Sequence, residues 1–164
     1  MKEHLFPLAI ELLQQLISIP SYSKEENKTA SLIENFFKHY KIETVRKGNN
    51  VWAKNKFFDA AKPTLLLNSH HDTVKPNPAY TRDPFDASMA DGKLYGLGSN
   101  DAGGPLVSLL MTFFYFYAEN DLKYNIEIVS YFHGQWKYFM YTISFQIWVR
   151  MRQKRKQLVT QNLC

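Results

Sequence analysis

The sequence of 164 residues contains a single cysteine, Cys164. One thiol excludes a disulfide within the chain and a zinc site built from several thiolates. The first 20 residues, MKEHLFPLAIELLQQLISIP, lack the unbroken apolar centre of a signal peptide because polar and acidic residues interrupt them. These absences favour a reducing compartment, and we expect a cytoplasmic protein.

Acidic residues are also missing from the last part of the chain, since no Asp or Glu follows Glu127. Residues 131–164 hold six of the 20 Lys and Arg side chains, which leaves 14 basic against 15 acidic residues in residues 1–130. The net charge of +5 therefore belongs to this tail. We expect no nucleic-acid partner.

Residues 131–164 are rich in aromatic side chains and keep neither helical nor strand periodicity. Their apolar part, residues 138–149, is shorter than the roughly 20 residues that span a bilayer. A non-catalytic fragment whose basic, aromatic tail binds a membrane surface or a partner is one alternative. We expect no membrane binding, because the aromatic residues do not share one helical stripe.

Apolar spacing in residues 1–130 alternates between helix and strand periods, which predicts a layered α/β fold. Leu5, Leu8, Leu12 and Leu16 predict a first helix, and Ser23 followed by Glu26 predicts a capping-box start for a second. Strands are predicted at residues 42–45, 51–53, 64–67 and 126–129, a hairpin turn at Asp91 and Gly92, and a buried helix after Gly104.

Three polar residues flank these apolar segments. His70 and Asp72 follow the strand at 64–67, and Asp101 lies in a glycine-rich loop before the buried helix. Imidazole and carboxylate are suitable ligands for a first-row metal. A polar turn at residues 70–72 and a helix cap at Asp101 are the alternatives. The Gly96-Leu97-Gly98 segment matches neither a P-loop nor a complete GxGxxG pattern.

Two strings, SHHDTV (residues 69–74) and GLGSNDAGG (residues 96–104), resemble the motifs of a family of dinuclear zinc peptidases. The family includes acetylornithine deacetylases, succinyl-diaminopimelate desuccinylases and aminoacylases, and the resemblance runs over residues 8–130. It implies a three-layer α/β/α sandwich with a mixed sheet, truncated after its first half. Residues 1–130 would be the N-terminal half of the catalytic domain, and residues 131–164 an aberrant tail foreign to the family.

The resemblance implies a role for each matching residue. His70 would bind one zinc ion, Asp101 would bridge two, and Asp72 would accept the His70 N–H as part of the catalytic machinery. His71 would be a bystander. The implied cofactor is two Zn²⁺ ions, with Co²⁺ or Mn²⁺ as alternatives. We expect only weak or partial metal binding here, because further ligands are missing.

The implied activity is removal of an acyl group from an N-acyl amino acid, as in acetylornithine deacetylases, with a di- or tripeptidase as the alternative. The partner would be a small N-acyl amino acid or a short peptide. The metals would activate a water while a glutamate takes its proton. Intact relatives form homodimers, which we do not expect of this fragment because the inserted domain that often mediates dimerisation is absent.

This sequence departs from the family at its next motif. Ser130-Tyr131-Phe132-His133 stands where consecutive glutamates are expected, and His133 has no family-like flanks. Codons for residues 152–156, translated in a shifted frame, are compatible with Ala-Glu-Glu-Glu. We therefore expect the chain to be a truncated or frame-shifted, inactive form.

Overall fold

The computed structural model describes residues 4–131. The helices are α1 (Leu5–Ile17), α2 (Asn27–His39) and α3 (Gly104–Phe116). The strands are β1 (Val45–Lys47), β2 (Asn50–Lys54), β3 (Thr64–His70), β4 (Met89–Ala90), β5 (Lys93–Leu94) and β6 (Asn125–Tyr131). The predicted aberrant tail lies outside the described residues, apart from its first residue, Tyr131.

Four strands form a mixed sheet in the order β1-β2-β6-β3. The β1–β2 and β2–β6 pairs are antiparallel, whereas β3 and β6 are parallel. The register pairs Ser69 with Ser130 and His70 with Tyr131, so both strands end at one edge of the sheet. The predicted α/β fold with a mixed sheet is confirmed.

Aromatic side chains from α2 and α3 form much of the core. The Phe37 ring stacks on Phe114 with centroids 5.6 Å apart and meets Phe113 edge-on at 5.8 Å. Each such pair contributes about 0.5–1.5 kcal/mol beyond its area burial. Helix α3 also packs against α1, β3 and β6. This packing holds the start of α3 beside the carboxyl end of β3.

The strand predicted at residues 42–45 is wrong, because Ile42 follows the turn that ends α2 and bonds back to that helix. Lys41 takes a positive φ of 57°, and the Ile42 N–H donates to the Phe37 carbonyl at 3.0 Å. A left-handed residue followed by such a back-bond is a common way to end a helix. Ile42 is therefore buried as part of the helix terminus, and the strand begins at Val45.

The hairpin predicted at Asp91 and Gly92 is confirmed. Strands β4 and β5 pair antiparallel, with Met89 opposite Leu94. Asp91 and Gly92 have φ values of 52° and 72°. Positive φ at both central residues is the requirement of the type I′ turn that connects tight hairpins.

Candidate metal site

The site lies where β3 ends and the segment before α3 passes. His70 is the last residue of β3, and Asp101 lies in the turn Ser99–Gly103. Nε2 of His70 is 3.0 Å from Oδ1 of Asp101, although the two residues are 31 positions apart in the sequence. The structure therefore brings together the two residues predicted to bind metal.

Asp72 holds the other nitrogen of the same imidazole ring. Nδ1 of His70 lies 3.1 Å from Oδ1 of Asp72 and 3.1 Å from the Asp72 backbone oxygen. The Asp72 side chain is only 4% exposed, so its charge acts in a poorly hydrated environment. A carboxylate behind a ligating histidine fixes the tautomer and the ring orientation, as predicted for this pair.

These contacts raise the pKa of His70 from 6.5 to about 9. The hydrogen bond from the ring to the Asp72 carboxylate is the largest cause, burial of the ring opposes it, and the Asp101 carboxylate adds to it. Without metal, His70 is therefore an imidazolium at neutral pH and donates from both nitrogens. A metal ion at Nε2 must displace that proton, so metal affinity will rise with pH.

Asp101 presents its carboxylate to solvent and to His70. Its side chain is 91% exposed. The cap position of α3 is Gly103 rather than Asp101, and no side chain caps this helix. The helix-cap alternative for Asp101 is therefore wrong. Close packing favours glycine in this turn, because a Cβ at Gly98 would lie 2.7 Å from Cγ2 of Thr73 and its φ is +78°.

His71 points away from this pair and is buried. Its Nδ1 lies 2.9 Å from Oγ1 of Thr29 in α2, and its Nε2 lies 3.0 Å from the Asn49 carbonyl oxygen. Burial lowers the pKa of His71, which favours the neutral ring. A neutral ring donates from Nε2 to the Asn49 carbonyl, and its Nδ1 lies against the Thr29 hydroxyl, which also donates to the Glu26 carbonyl. His71 joins the end of β3 to α2 and to the β1–β2 turn.

Ser23 is a site residue that the sequence prediction missed. Its hydroxyl donates to Oδ2 of Asp72, on the carboxylate that also holds His70. The predicted capping box is wrong, because α2 begins at Asn27 and the cap residue is Glu26, with no side-chain cap bond. The Glu26 carboxylate instead accepts from the Lys24 backbone N–H and from the Asn49 amide. The sequence prediction missed the Ser23–Asp72 contact because the two residues are 49 positions apart and no local pattern indicates such a pair.

The donor set fits part of a metal site. Two ligands at about 2.0–2.1 Å from one tetrahedral ion are about 3.3 Å apart, close to the observed 3.0 Å between His70 Nε2 and Asp101 Oδ1. Within residues 4–131, no group of three or more His, Cys, Asp or Glu side chains converges to hold an ion. A catalytic zinc site has three protein ligands, so further donors must complete this one.

No helix within residues 4–131 is both long enough and apolar enough to cross a membrane.

Comparison with known proteins matches residues 66–132 to peptidase family M20/M25/M40. A succinyl-diaminopimelate desuccinylase of Blochmanniella floridana is 32% identical over a 109-residue alignment that covers 62% of this chain and 28% of the relative. A succinyl-diaminopimelate desuccinylase of Corynebacterium glutamicum is 30% identical over 125 residues, covering 74% of this chain and 32% of the relative. The chain thus spans about a third of the length of these curated relatives.

Solved structures share the fold. An M20 family metallo-carboxypeptidase from Sulfolobus solfataricus superposes with a TM-score of 0.62 at 21% identity, over 77% of this chain and 30% of that one. Human carnosine dipeptidase 1 gives a TM-score of 0.60 at 19% identity, over 78% and 32% of the two chains. These structures support the fold, whereas the match of residues 66–132 and the sequence relatives confirm the resemblance inferred from the two motifs.

Proposed function

Because residues 66–132 match peptidase family M20/M25/M40, we propose that this chain carries the N-terminal, metal-binding part of a metal-dependent amide hydrolase. The observation that supports this most directly is the facing pair of His70 Nε2 and Asp101 Oδ1, with Asp72 behind the imidazole. In this proposal His70 and Asp101 are metal ligands. Asp72 keeps a proton on Nδ1, so a metal binds at Nε2 and displaces the proton there.

Zinc is the metal we propose, since one imidazole and one carboxylate suit it, with Co²⁺ or Mn²⁺ as substitutes. A bound zinc ion supplies Lewis-acid activation of water and of an amide carbonyl. The residues of this chain do the positioning: Asp72 orients the ring, and the packed start of α3 holds Asp101 opposite it.

The substrate we propose is a small N-acyl amino acid whose acyl group is removed. The sequence relatives are succinyl-diaminopimelate desuccinylases, so an N-succinyl amine is the first compound to test. N-Acetylornithine and a dipeptide are the second and third, because the residues that would read the acyl group are not among those described.

The 164-residue chain should nevertheless be inactive. No Asp or Glu follows Glu127, so the family's glutamate base is absent after β6. A general base contributes typically 10²–10⁴-fold to the rate. We expect no Zn²⁺- or Co²⁺-dependent release of succinate, acetate or free amino acid by the purified chain. Turnover that disappears in His70→Ala would contradict this and would reveal a substitute base.

Metal binding tests the ligand assignment separately from activity. Co²⁺ or Zn²⁺ titrated into the full chain should bind weakly, and dialysis should remove it, because two protein ligands are too few for a closed site. His70→Ala and Asp101→Ala should abolish this binding. Asp121→Ala removes an exposed aspartate from the loop before β6, at the opposite end of the parallel strands, and should leave binding unchanged. Equal binding by wild type and His70→Ala would refute the assignment.

A further inference from the structure

We propose that Ser23 is a positioning residue of this metal site, acting through Asp72 on His70. The inference rests on the proposed function for the metal, but its geometry stands without it. The Ser23 hydroxyl donates to Oδ2 of Asp72, while Oδ1 of the same carboxylate holds Nδ1 of His70 at 3.1 Å. Each carboxylate oxygen thus has a separate partner.

The backbone holds Ser23 in register with Asp72. The Thr73 N–H donates to the Ser21 carbonyl at 2.8 Å, and Tyr22 forms a parallel bridge with Thr73. Residues 21–23, between α1 and α2, therefore lie as a short extended segment beside residues 72–73. This pairing brings the Ser23 side chain to the Asp72 carboxylate.

The physical effect is a restraint on rotation of the carboxylate. Asp72 lies two residues beyond the end of β3, and hydrogen bonds set the orientation of its carboxylate. A hydroxyl bound to a carboxylate is a charge-assisted hydrogen bond, stronger than a neutral one. With Oδ2 held by Ser23, Oδ1 stays aligned with the imidazole. Nε2 of His70 is then directed at Asp101.

The Ser23 hydroxyl does not cap α2. It lies four residues before the first residue of that helix, and no side chain caps the helix. The Ser23 residue is exposed, although its hydrogen bond ends on a buried carboxylate. Substitutions at this surface position should therefore leave the core and α2 intact, which separates positioning from a folding role.

The decisive comparison is Ser23→Thr against Ser23→Val in the full chain. Threonine and valine have nearly the same shape, but only threonine keeps the hydroxyl, and valine also hinders a water from replacing it. Ser23→Ala is the third variant. Ser18→Ala is the matched control, because the Ser18 hydroxyl donates to the Gln15 carbonyl on the exposed end of α1.

Two measurements report on the site. The first is the downfield proton resonance of His70 Nδ1–H in the metal-free chain, which depends on its bond to Asp72. The second is Zn²⁺ affinity, measured by competition with a chromophoric chelator. Ser23→Val and Ser23→Ala should shift or broaden the resonance and weaken zinc binding about tenfold, the low end for loss of an outer partner of a metal ligand. Ser23→Thr and Ser18→Ala should resemble wild type.

An unchanged His70 resonance in Ser23→Val overturns the inference, whatever happens to zinc affinity. Failure of Ser23→Thr to preserve the resonance also overturns it, since the hydroxyl would then not be the determinant. If wild type binds no zinc but Ser23→Val still loses the resonance, the positioning role holds and the proposed metal function fails. The resonance therefore separates the two proposals.

Discussion

Replacement of Asp72 by asparagine should uncouple His70 from the buried charge behind it. Asparagine keeps the shape of the side chain and a carbonyl oxygen that can still accept from Nδ1. The negative charge is lost, and an NH2 group replaces Oδ2, so the Ser23 hydroxyl must accept from that position instead of donating to it. Because the hydrogen bond to the Asp72 carboxylate is the largest cause of the raised pKa of His70, we expect that pKa to fall from about 9 toward the ordinary value of 6.5, with the Asp101 carboxylate still raising it.

The magnitude follows from the interval between the ordinary pKa of a histidine and the pKa of His70 in the folded chain. An interval from 6.5 to about 9 corresponds to about 3 kcal/mol at about 1.36 kcal/mol per pH unit. Part of it comes from Asp101, whose side chain is 91% exposed and whose charge is therefore screened by solvent. We assign about 2 kcal/mol or less to the buried Asp72.

The direction of the pH effect follows from the raised pKa. A pKa higher in the folded than in the unfolded chain adds stability that is complete below about pH 6.5 and is lost as pH rises through about 9. The free energy of unfolding of the metal-free wild type should thus lose this contribution of about 2 kcal/mol or less between those pH values. In Asp72→Asn this loss should be absent.

Urea denaturation in EDTA at several pH values from 6 to 9 measures the stability, and NMR titration of the His70 ring protons measures the pKa. Asp101→Asn is the matched control, and its effect on the pKa should be smaller because its carboxylate is exposed. An unchanged pKa of His70 in Asp72→Asn would refute the reasoning. So would a larger decrease in Asp101→Asn than in Asp72→Asn.

Two further substitutions test the surroundings of the site by urea denaturation. His71→Ala removes the hydrogen bonds to α2 and the β1–β2 turn and should lower the free energy of unfolding by about 2 kcal/mol, mostly because buried partners lose their bonds; a neutral effect would show that the ring does not join these elements. Gly96→Ala would place a Cβ 2.3 Å from Cγ2 of Ile17 at a φ of +140° and should cost about 1–3 kcal/mol. Gly48→Ala, with positive φ but open space, should cost less, and equal losses would contradict the steric explanation.

Local features were predictable because their causes act within a few residues. Leucine spacing predicted α1, and the Asp91-Gly92 pair predicted the hairpin through the positive φ that both residues adopt. The two motifs likewise indicated the family, since each lies within one short stretch of chain. The misplaced strand at residues 42–45 had the same kind of local cause, because apolar Ile42 fits both a strand and a helix terminus.

The contacts within the site depended on tertiary structure. His70 meets Asp101 because α3 packs against β3, and Ser23 meets Asp72 because residues 21–23 lie beside residues 72–73. The sequence by itself determined which residues could bind a metal or hold a proton. Packing between elements decided which of them face each other, since side-chain direction after a strand and the path of a loop are set by neighbours distant in the chain.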